Sequence, residues 1–243
     1  MIRPRAAMLL AAGLGMRMRP LTEHTAKPLL PLGGRPLLDH ALDRLAAAGV
    51  TTVVINTHWH AELVTAHLAT RAADGMSIVL RGEGTLLDTG GAVRAALDVL
   101  GREPFYVVNG DTFWLDGPTP ALTRLAAAWD ARTDAVLLVH RTFQVQGGSD
   151  AGDFWLDPWG RVRRRKPGEI VPYLYAGVQL VAPTLFAAAP PGAFGMNVVW
   201  DQAIAAGRLS AVVHDGLWFH LSTPPDLAEA EFNLHAREAG EAR

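Results

Sequence analysis

The amino-acid sequence predicts an α/β fold: a doubly wound, mostly parallel sheet covered by helices on both sides, followed by a small C-terminal lobe. Short apolar runs alternate with longer Ala/Leu-rich amphipathic segments over residues 6–140, as in chains of βαβ units. The short runs are apolar at nearly every position, which is typical of parallel strands buried on both faces.

The elements of the first part of the chain follow from this alternation. The apolar run at residues 6–12 is followed at once by Gly13-Leu14-Gly15. We therefore interpret it as a buried strand leading into a loop rather than as a signal peptide. The predicted strands are residues 6–12, 52–57, 77–81, 105–109 and 135–140, and the predicted helices are residues 36–48, 62–72, 90–100 and 120–131.

The pattern changes after about residue 141. Residues 144–153 are Gly-rich and polar, and residues 154–165 indicate a hairpin with Pro158-Trp159-Gly160 at its turn. Further strands are predicted at 173–181, 211–214 and 218–221, and further helices at 197–206 and 225–236. We expect residues 1–243 to form a single domain with two parts, residues 1–141 and residues 142–243.

Composition and charge exclude several classes of protein. The 243 residues, 49% of them hydrophobic, are enough for one large core. The formal net charge is only -2, and apart from a basic run at residues 161–166 nothing resembles a nucleic-acid-binding surface. There is no cysteine, which excludes disulfides and thiolate sites and fits a cytoplasmic location. No stretch approaches the roughly 20 apolar residues that span a bilayer, so neither nucleic acid nor a membrane is expected as a partner.

A glycine-rich loop directly after the first strand is the sharpest motif. In open α/β sheets, ligands bind at the carboxyl ends of the strands. Gly13 and Gly15 allow backbone N–H groups to face phosphate oxygens. Arg17 adds a rigid guanidinium fork, and Lys27 adds a mobile positive charge. The loop therefore indicates a phosphate-binding site.

Two other phosphate-binding motifs do not fit this loop. A dinucleotide-binding fingerprint requires a small residue where Met18 stands, and Pro20 prevents a regular helix from starting there. The strand at 52–57 also ends in Asn56-Thr57 rather than in an acidic residue, which disfavours a nicotinamide-dependent dehydrogenase. The Gly-Lys-Ser/Thr of a P-loop is absent.

Residues 10–29 resemble the signature of the sugar-phosphate nucleotidyltransferases, and the resemblance covers nearly the whole chain. The other matching segments are Leu87-Asp88-Thr89-Gly90-Gly91, Val107-Val108-Asn109-Gly110-Asp111, Tyr175-Ala176-Gly177-Val178 and Trp218-Phe219-His220-Leu221-Ser222-Thr223. Within the family the chain looks most similar to the short N-acetylmuramate α-1-phosphate uridylyltransferases. The resemblance implies a Rossmann-like fold of the nucleotide-diphospho-sugar transferase type. It also implies two substrates, a nucleoside triphosphate for residues 1–141 and a sugar 1-phosphate for residues 142–243.

A metal site is expected at Asp111, which follows the strand at 105–109. Mg²⁺ takes oxygen ligands, usually one or two carboxylates together with substrate phosphates, and the resemblance implies the same role. Family members usually supply a second aspartate where His220 stands here. Imidazole suits Mn²⁺ or another divalent metal better than Mg²⁺. His220 therefore has three possible roles: a metal ligand, a partner of a metal-bound water, or a phosphate contact with Asp111 as the sole protein ligand.

The resemblance also implies how the nucleotide is bound. Glu83 is expected to accept a hydrogen bond from a base N–H, and the backbone at Asp88, Thr89 and Gly90 is expected to contact the opposite edge. A carboxylate acceptor suits uracil, thymine or guanine, and the overall resemblance favours uracil. The loop residues assigned to the phosphates are Leu10, Ala11, Ala12, Gly13 and Gly15.

The sugar phosphate is expected to contact residues from both parts of the chain. Lys166 matches the lysine of a Glu-Lys-Pro motif in the family, although Arg165 replaces the glutamate. The basic run 161–166 would suit an acidic sugar such as a lactyl-bearing muramic acid phosphate, or it is a solvated hairpin. The residues assigned to the sugar phosphate are Asn109, Gly152, Lys166, Tyr175 and Gly177.

The expected chemistry is direct displacement of pyrophosphate at the α-phosphorus, with Arg17, Lys27 and Asp111 as the catalytic set. Two alternatives stay open. One is a guanylyl- or thymidylyltransferase that acts on a hexose or heptose 1-phosphate. The other is a non-catalytic sugar-nucleotide sensor. The resemblance also implies a role in peptidoglycan recycling, and we expect a monomer or a small homo-oligomer.

Overall fold

The computed structural model of the chain describes residues 2–71, 75–145 and 151–241, with side chains to residue 236 in the last helix. The strands are β1 Ala6–Leu10, β2 Pro31–Leu32, β3 Arg35–Pro36, β4 Thr52–Thr57, β5 Ser77–Gly82, β6 Phe105–Asn109, β7 Phe113–Leu115, β8 Ala135–Arg141, β9 Phe154–Leu156, β10 Val162–Arg164, β11 Tyr173–Val181, β12 Leu209–Val213 and β13 Leu217–Phe219. The α-helices are α1 Leu37–Ala47, α2 Ala61–Thr70, α3 Asp88–Ala95, α4 Leu97–Leu100, α5 Ala121–Ala127, α6 Met196–Ala205 and α7 Pro224–Glu241.

One mixed sheet organises the molecule. Its order is β10-β9-β11-β6-β1-β4-β5, and β8 pairs with both β11 and β12. The neighbours β6, β1, β4 and β5 are parallel, as are β8 and β12, whereas β11 runs antiparallel to β6 and β8. The predicted mostly parallel sheet is confirmed. Strands from both sides of residue 141 share it, so the sheet itself does not mark the expected division into two parts.

Helices cover both faces of the sheet because alternate side chains of each central strand point in opposite directions. Leu9 and Ile55 pack in a core with α1, α2 and α5. Met8 and Val54 pack in a second core with α3, α4 and α6. The predicted doubly wound architecture is therefore confirmed.

A third core places the C-terminal helix near the glycine-rich loop. Leu227 and Ala230 of α7 pack with Met18, Phe113 and Leu221. Met18 is fully buried and belongs to a 3₁₀ turn, Met16–Met18, that carries Arg17. The burial of Met18 therefore anchors the part of the loop that presents Arg17.

The structure differs from the sequence predictions in its short elements. The helix predicted at 90–100 is two helices, α3 and α4, which meet at Ala96. The strands β2, β3 and β7 were not predicted, since two or three residues show no recognisable periodicity. The predicted end of the helix at 62–72, and residues 146–150 of the polar stretch at 144–153, lie outside the described residues.

The length and hydropathy of the helices bear on whether any of them could cross a membrane. Within the described residues, none of the helices is both long enough and apolar enough to traverse a bilayer.

Two histidines are buried close to each other, and the ring centroid of one of them, His140, lies 5.7 Å from that of Trp218 in β13. His140 and His214 are 3% and 1% exposed, and their ring centroids are 6.1 Å apart. Neither Nδ1 atom has a hydrogen-bond partner in the described part of the chain. Burial, followed by the nearby charges of His214 and Arg141, lowers the pKa of His140 to about 4.

This burial predicts an acid-sensitive stability. His140 is neutral when folded but has an ordinary pKa near 6.5 when unfolded, so its stabilising effect is present above that pH and is lost as the pH falls towards 4. Between about pH 7.5 and about pH 5, we expect the wild type to lose up to about 2 kcal/mol more unfolding free energy than His140→Leu. Urea denaturation at both pH values measures the difference, and equal losses in the two proteins would contradict it.

Candidate active site

The carboxyl ends of β1, β4, β5 and β6 lie at one edge of the sheet, where a cavity of about 390 Å³ opens. We call it the strand-end cavity. The predicted site residues that line it are Leu10, Ala11, Ala12, Gly13, Lys27, Glu83, Asp88, Thr89, Asn109 and Asp111. Most of the residues assigned to the nucleotide are thus brought together, as expected for polar groups at the ends of neighbouring parallel strands.

The two loop glycines are needed for different reasons. Gly15 has a φ of +61°, and a Cβ atom there would lie 2.9 Å from the Thr22 side chain. Thr22 is buried and donates its hydroxyl to the Gly15 carbonyl over 2.8 Å. Gly13, by contrast, is exposed in the strand-end cavity, and a Cβ atom there would meet no protein atom within 4 Å. Packing therefore explains Gly15, whereas Gly13 leaves its backbone open to a ligand.

A hydrogen-bonded chain joins the loops on three strands. Asn56, at the end of β4, accepts the Ala11 N–H over 2.8 Å and donates its amide to Glu83 over 2.8 Å. The other carboxylate oxygen of Glu83 accepts the Leu87 N–H over 2.9 Å. Both oxygens of Glu83 thus have protein donors and retain lone pairs for a further one. Asn56 was not among the predicted site residues, although a polar residue at the end of an apolar strand was a signal for it in the sequence.

The segment before α3 is only partly open to the cavity. Asp88 adopts a φ of +56° and accepts the Thr89 N–H over 2.5 Å. The Thr89 hydroxyl accepts the Met196 N–H over 3.0 Å. Gly90 is buried, and its N–H donates to the Phe194 carbonyl over 2.8 Å. Asp88 and Thr89 therefore line the cavity, whereas the Gly90 amide is already bonded to the protein.

An ion pair links Lys27, which follows the glycine-rich loop in sequence, to Asp111, which follows β6. Lys27 is only 9% exposed, and its Nζ donates to Asp111 Oδ2 over 2.6 Å. The Asp111 side chain is 40% exposed. Between them, the Gly110 N–H donates to the Leu10 carbonyl over 2.8 Å, and a Cβ atom at Gly110 would come within 2.7 Å of that oxygen. This close approach holds Asp111 beside the glycine-rich loop.

A second cavity of about 290 Å³ meets the strand-end cavity at Asn109 and Asp111. We call it the His220 cavity, and it is also lined by Arg17, Tyr175 and Gly177. The three residues of the expected catalytic set are thus gathered around one junction. Lys27 lines one cavity, Arg17 lines the other, and Asp111 lines both.

His220 lies in the electrostatic field of this junction. Burial is the main cause that lowers its pKa. The carboxylates of Asp226 and Asp111 oppose the shift, and the charges of Arg17 and Lys27 add to it. The imidazole is therefore neutral at neutral pH, with a ring nitrogen able to accept a hydrogen bond or bind a metal.

The donor groups fit a metal that is held largely by substrates. Among the described residues, no group of three or more His, Cys, Asp or Glu side chains is placed to hold a metal ion. Asp111 has one oxygen bonded to Lys27 and stands partly exposed between the two cavities. A single carboxylate with space for phosphate oxygens and water fits Mg²⁺, which rarely occupies all-protein cages.

A third cavity of about 330 Å³ adjoins both others. We call it the Arg164 cavity. It shares Asn109, Asp153 and Tyr175 with the His220 cavity, and Asp88 and Thr89 with the strand-end cavity. The three cavities are therefore neighbours, and residues at the end of β6 and at the start of α3 lie between them.

Of three residues predicted for the sugar phosphate, two do not line any of the cavities and the third lines the His220 cavity. Lys166 is exposed and lines none of the three cavities. Gly152 has a φ of +66°, and a Cβ atom there would lie 2.3 Å from the Val171 carbonyl, so close packing accounts for it. Gly177 lines the His220 cavity at an irregularity in the pairing of β11 with β8.

Because Gly13 is open to the cavity and Gly15 is closely packed, alanine substitutions at the two positions should affect different properties, ligand binding at Gly13 and stability at Gly15. Gly13→Ala meets no steric conflict, so its melting temperature should match the wild type, whereas its KM for the nucleoside triphosphate should rise at least about tenfold. Gly15→Ala should lose about 1–3 kcal/mol because of its left-handed backbone and its contact with Thr22. Melting curves and initial rates separate the two. An unchanged KM in Gly13→Ala would show that no ligand approaches this backbone.

The chain through Asn56 predicts a compensating pair of substitutions. Asn56→Asp places a carboxylate against Glu83, and Glu83→Gln turns an amide donor towards another donor, so each should lose about 1–3 kcal/mol of unfolding free energy. In the double variant the new amide donates to the new carboxylate, so most of the stability should return. Denaturant unfolding of the four proteins tests this. Additive losses would mean that the two side chains are not coupled.

Comparison with known proteins identifies the family. The profile of the Nucleotidyl transferase family matches residues 6–144. An N-acetylmuramate alpha-1-phosphate uridylyltransferase of Caulobacter vibrioides is 43% identical over 235 residues, which cover 95% of this chain and 97% of that protein. A protein of the same name from Neisseria meningitidis is 35% identical over 227 residues, covering 93% of this chain and 96% of that one.

The fold is shared with a solved structure of low sequence identity. The crystal structure of UDP-glucose pyrophosphorylase complexed with UDP-glucose superposes with a TM-score of 0.79 at 16% identity, covering 96% of this chain and 99% of that chain. At this level of identity the match concerns the fold alone. The profile match and the two relatives show that the chain belongs to the nucleotidyl transferase family, among the sugar-phosphate nucleotidyltransferases.

Proposed function

We propose that this protein transfers the uridylyl group of UTP to N-acetylmuramate α-1-phosphate, forming the UDP-sugar and pyrophosphate. The observation that carries the proposal is the junction at Asp111. Asp111 lines both the strand-end cavity, which contains the glycine-rich loop and Lys27, and the His220 cavity, which contains Arg17. A reaction between two phosphate-bearing substrates needs adjoining sites with positive charges between them. The names of two relatives that span almost the whole chain support the choice of substrates.

The nucleotide is assigned to the strand-end cavity. Its phosphates would lie on the backbone amides of the loop from Leu10 to Gly15, where Gly13 leaves an open approach. The base would lie towards Glu83 and the Asp88–Thr89 backbone. Glu83 can accept the N3–H of uracil with a free lone pair while it keeps its bonds to Asn56 and Leu87.

The reaction requires positioning and charge stabilisation rather than a strong base, because the attacking phosphate is already ionised at neutral pH. Arg17 would neutralise the leaving pyrophosphate, and Lys27 would lie nearer the α-phosphate. The ion pair with Asp111 fixes the Lys27 ammonium before any substrate arrives. Mg²⁺ held by Asp111, with His220 as a further ligand or as a partner of its water, would supply additional positive charge for the phosphates.

The sugar phosphate is assigned to the His220 and Arg164 cavities. Asn109, Tyr175 and Gly177 line this space, whereas Gly152 and Lys166 are not among the residues that line the three cavities and have no part in this assignment. Residues 1–141 would thus bind mainly the nucleotide and residues 142–243 mainly the sugar, within one domain. The protein would act as a monomer or as a small homo-oligomer. A cytoplasmic role in peptidoglycan recycling follows from the proposed sugar.

A substrate panel tests the proposal. Pyrophosphate release is measured with UTP, dTTP, GTP and ATP, each against N-acetylmuramate, glucose, mannose and heptose 1-phosphates with Mg²⁺ or Mn²⁺. We expect UTP with N-acetylmuramate 1-phosphate to give the highest kcat/KM. A preference for GTP or dTTP with a neutral sugar would favour the alternative transferase. Nucleotide-sugar binding with no turnover of any pair would favour a sensor.

A matched pair of arginines serves as the control for this panel. Arg17 lines the His220 cavity, whereas Arg19 is exposed and lines none of the three cavities. Arg17→Ala should lower kcat by about 100-fold or more, and Arg19→Ala should keep the wild-type rate. Equal rates in the two variants would remove Arg17 from the proposed mechanism.

A further inference from the structure

The hairpin of β9 and β10 turns one arginine of the basic run inwards. Side chains alternate along a strand, and Val162 of β10 packs into the second core with 8% exposure. Arg164, two residues later, therefore shares its face and pairs in register with Phe154. Arg163 points to the other face, where its guanidinium is bonded to the Glu169 carboxylate.

The guanidinium of Arg164 is held in a fixed position. It lies 5.3 Å from the ring centroid of Phe154 and 5.7 Å from that of Trp200. Its Nε donates to Asp201 over 2.6 Å, and its Nη2 donates to the Asn197 carbonyl over 3.3 Å. A guanidinium has five N–H groups. The two on Nη1 and the second on Nη2 have no hydrogen-bond partner within the described ranges of the chain.

Arg164 also lines the Arg164 cavity, which lies beside the His220 cavity and shares Asn109, Asp153 and Tyr175 with it. The other charged side chains that line this cavity are the carboxylates of Asp88 and Asp153. Arg164 is thus the single cationic side chain among the residues lining it. Lys166, which the sequence suggested for the sugar phosphate, is exposed outside this space.

We propose that the free edge of Arg164 binds the lactyl carboxylate of the sugar substrate and selects N-acetylmuramate over sugars without this group; the inference rests on the proposed function. With the anomeric phosphate at Asp111, the pyranose lies along the His220 cavity and its lactyl ether extends into the Arg164 cavity. Nη1 and Nη2 offer a planar pair of donors that matches the two oxygens of a carboxylate. Asp201 occupies only the Nε edge, so both carboxylates can be bound at once.

The aromatic rings and Asp201 have a defined part in this subsite. They hold the guanidinium before the substrate arrives, which lowers the entropic cost of binding. They also explain why a flexible lysine would not replace Arg164, since an ammonium has no planar fork.

The proposal is tested by measuring kcat/KM of the wild type and of Arg164→Gln with sugar phosphates that have or lack the lactyl carboxylate. The substrates are N-acetylmuramate 1-phosphate, its lactyl amide, and N-acetylglucosamine 1-phosphate, which lacks the lactyl group. In Arg164→Gln, we expect kcat/KM for the lactyl acid to fall about 10- to 100-fold, and kcat/KM for N-acetylglucosamine 1-phosphate to change less than about twofold. The wild type should lose a similar factor when the acid is replaced by the amide, and Arg164→Gln should not distinguish acid from amide.

Arg163→Gln is the matched control, because it removes a neighbouring arginine on the opposite face. It should retain wild-type kcat/KM for all three sugars, since Arg163 lines none of the three cavities. A wild type that uses acid and amide equally well overturns the Arg164 assignment without relying on any variant. An equal loss on all sugars in Arg164→Gln also overturns it. A wild type inactive on N-acetylmuramate 1-phosphate overturns the proposed function and this inference together.

Discussion

The ion pair between Lys27 and Asp111 is the interaction on which the arrangement of the site depends. Lys27 is nearly buried, and a buried ammonium is costly unless a carboxylate compensates it. The partner is 84 residues away in sequence, so the pair forms only when β1 and β6 lie side by side. The hydrogen bond from Gly110 to Leu10 provides this proximity. Folding of the parallel sheet and assembly of the charged centre are therefore one event.

The same sheet edge connects the charged centre with the recognition loops. Asn56 bonds to the glycine-rich loop on one side and to Glu83 on the other, and Glu83 in turn holds the segment before α3. A shift of any one strand would thus move together the groups proposed to bind the phosphates and those proposed to bind the base. Rigid elements hold a binding constellation more closely than independent loops do, which is what a displacement reaction between two large anions requires.

The parts of this structure that could be predicted from the sequence are those with a local signal. The strands at 52–57 and 105–109 have the predicted bounds because long apolar runs leave little choice of register. The glycine-rich loop and Asp111 were predicted because each directly follows such a strand. Asn56 was missed because one polar residue at a strand end also suits an ordinary turn. Its role depends on partners 45 and 27 residues away.

The basic hairpin shows the same limit on a finer scale, and it indicates where substrate selection arises in this fold. Composition marks residues 161–166 as a positive surface, and motif resemblance favours Lys166. The side chain that faces the cavity, however, is decided by strand alternation and by the register of β10 against β9, which place Arg164 beside Phe154. The centre of the site is built from strand ends of the sheet, so its chemistry can stay constant. The hairpin presents its side chains from outside that centre, so under the proposed role of Arg164 a change of this residue would alter the preferred sugar without disturbing the pair of Lys27 and Asp111.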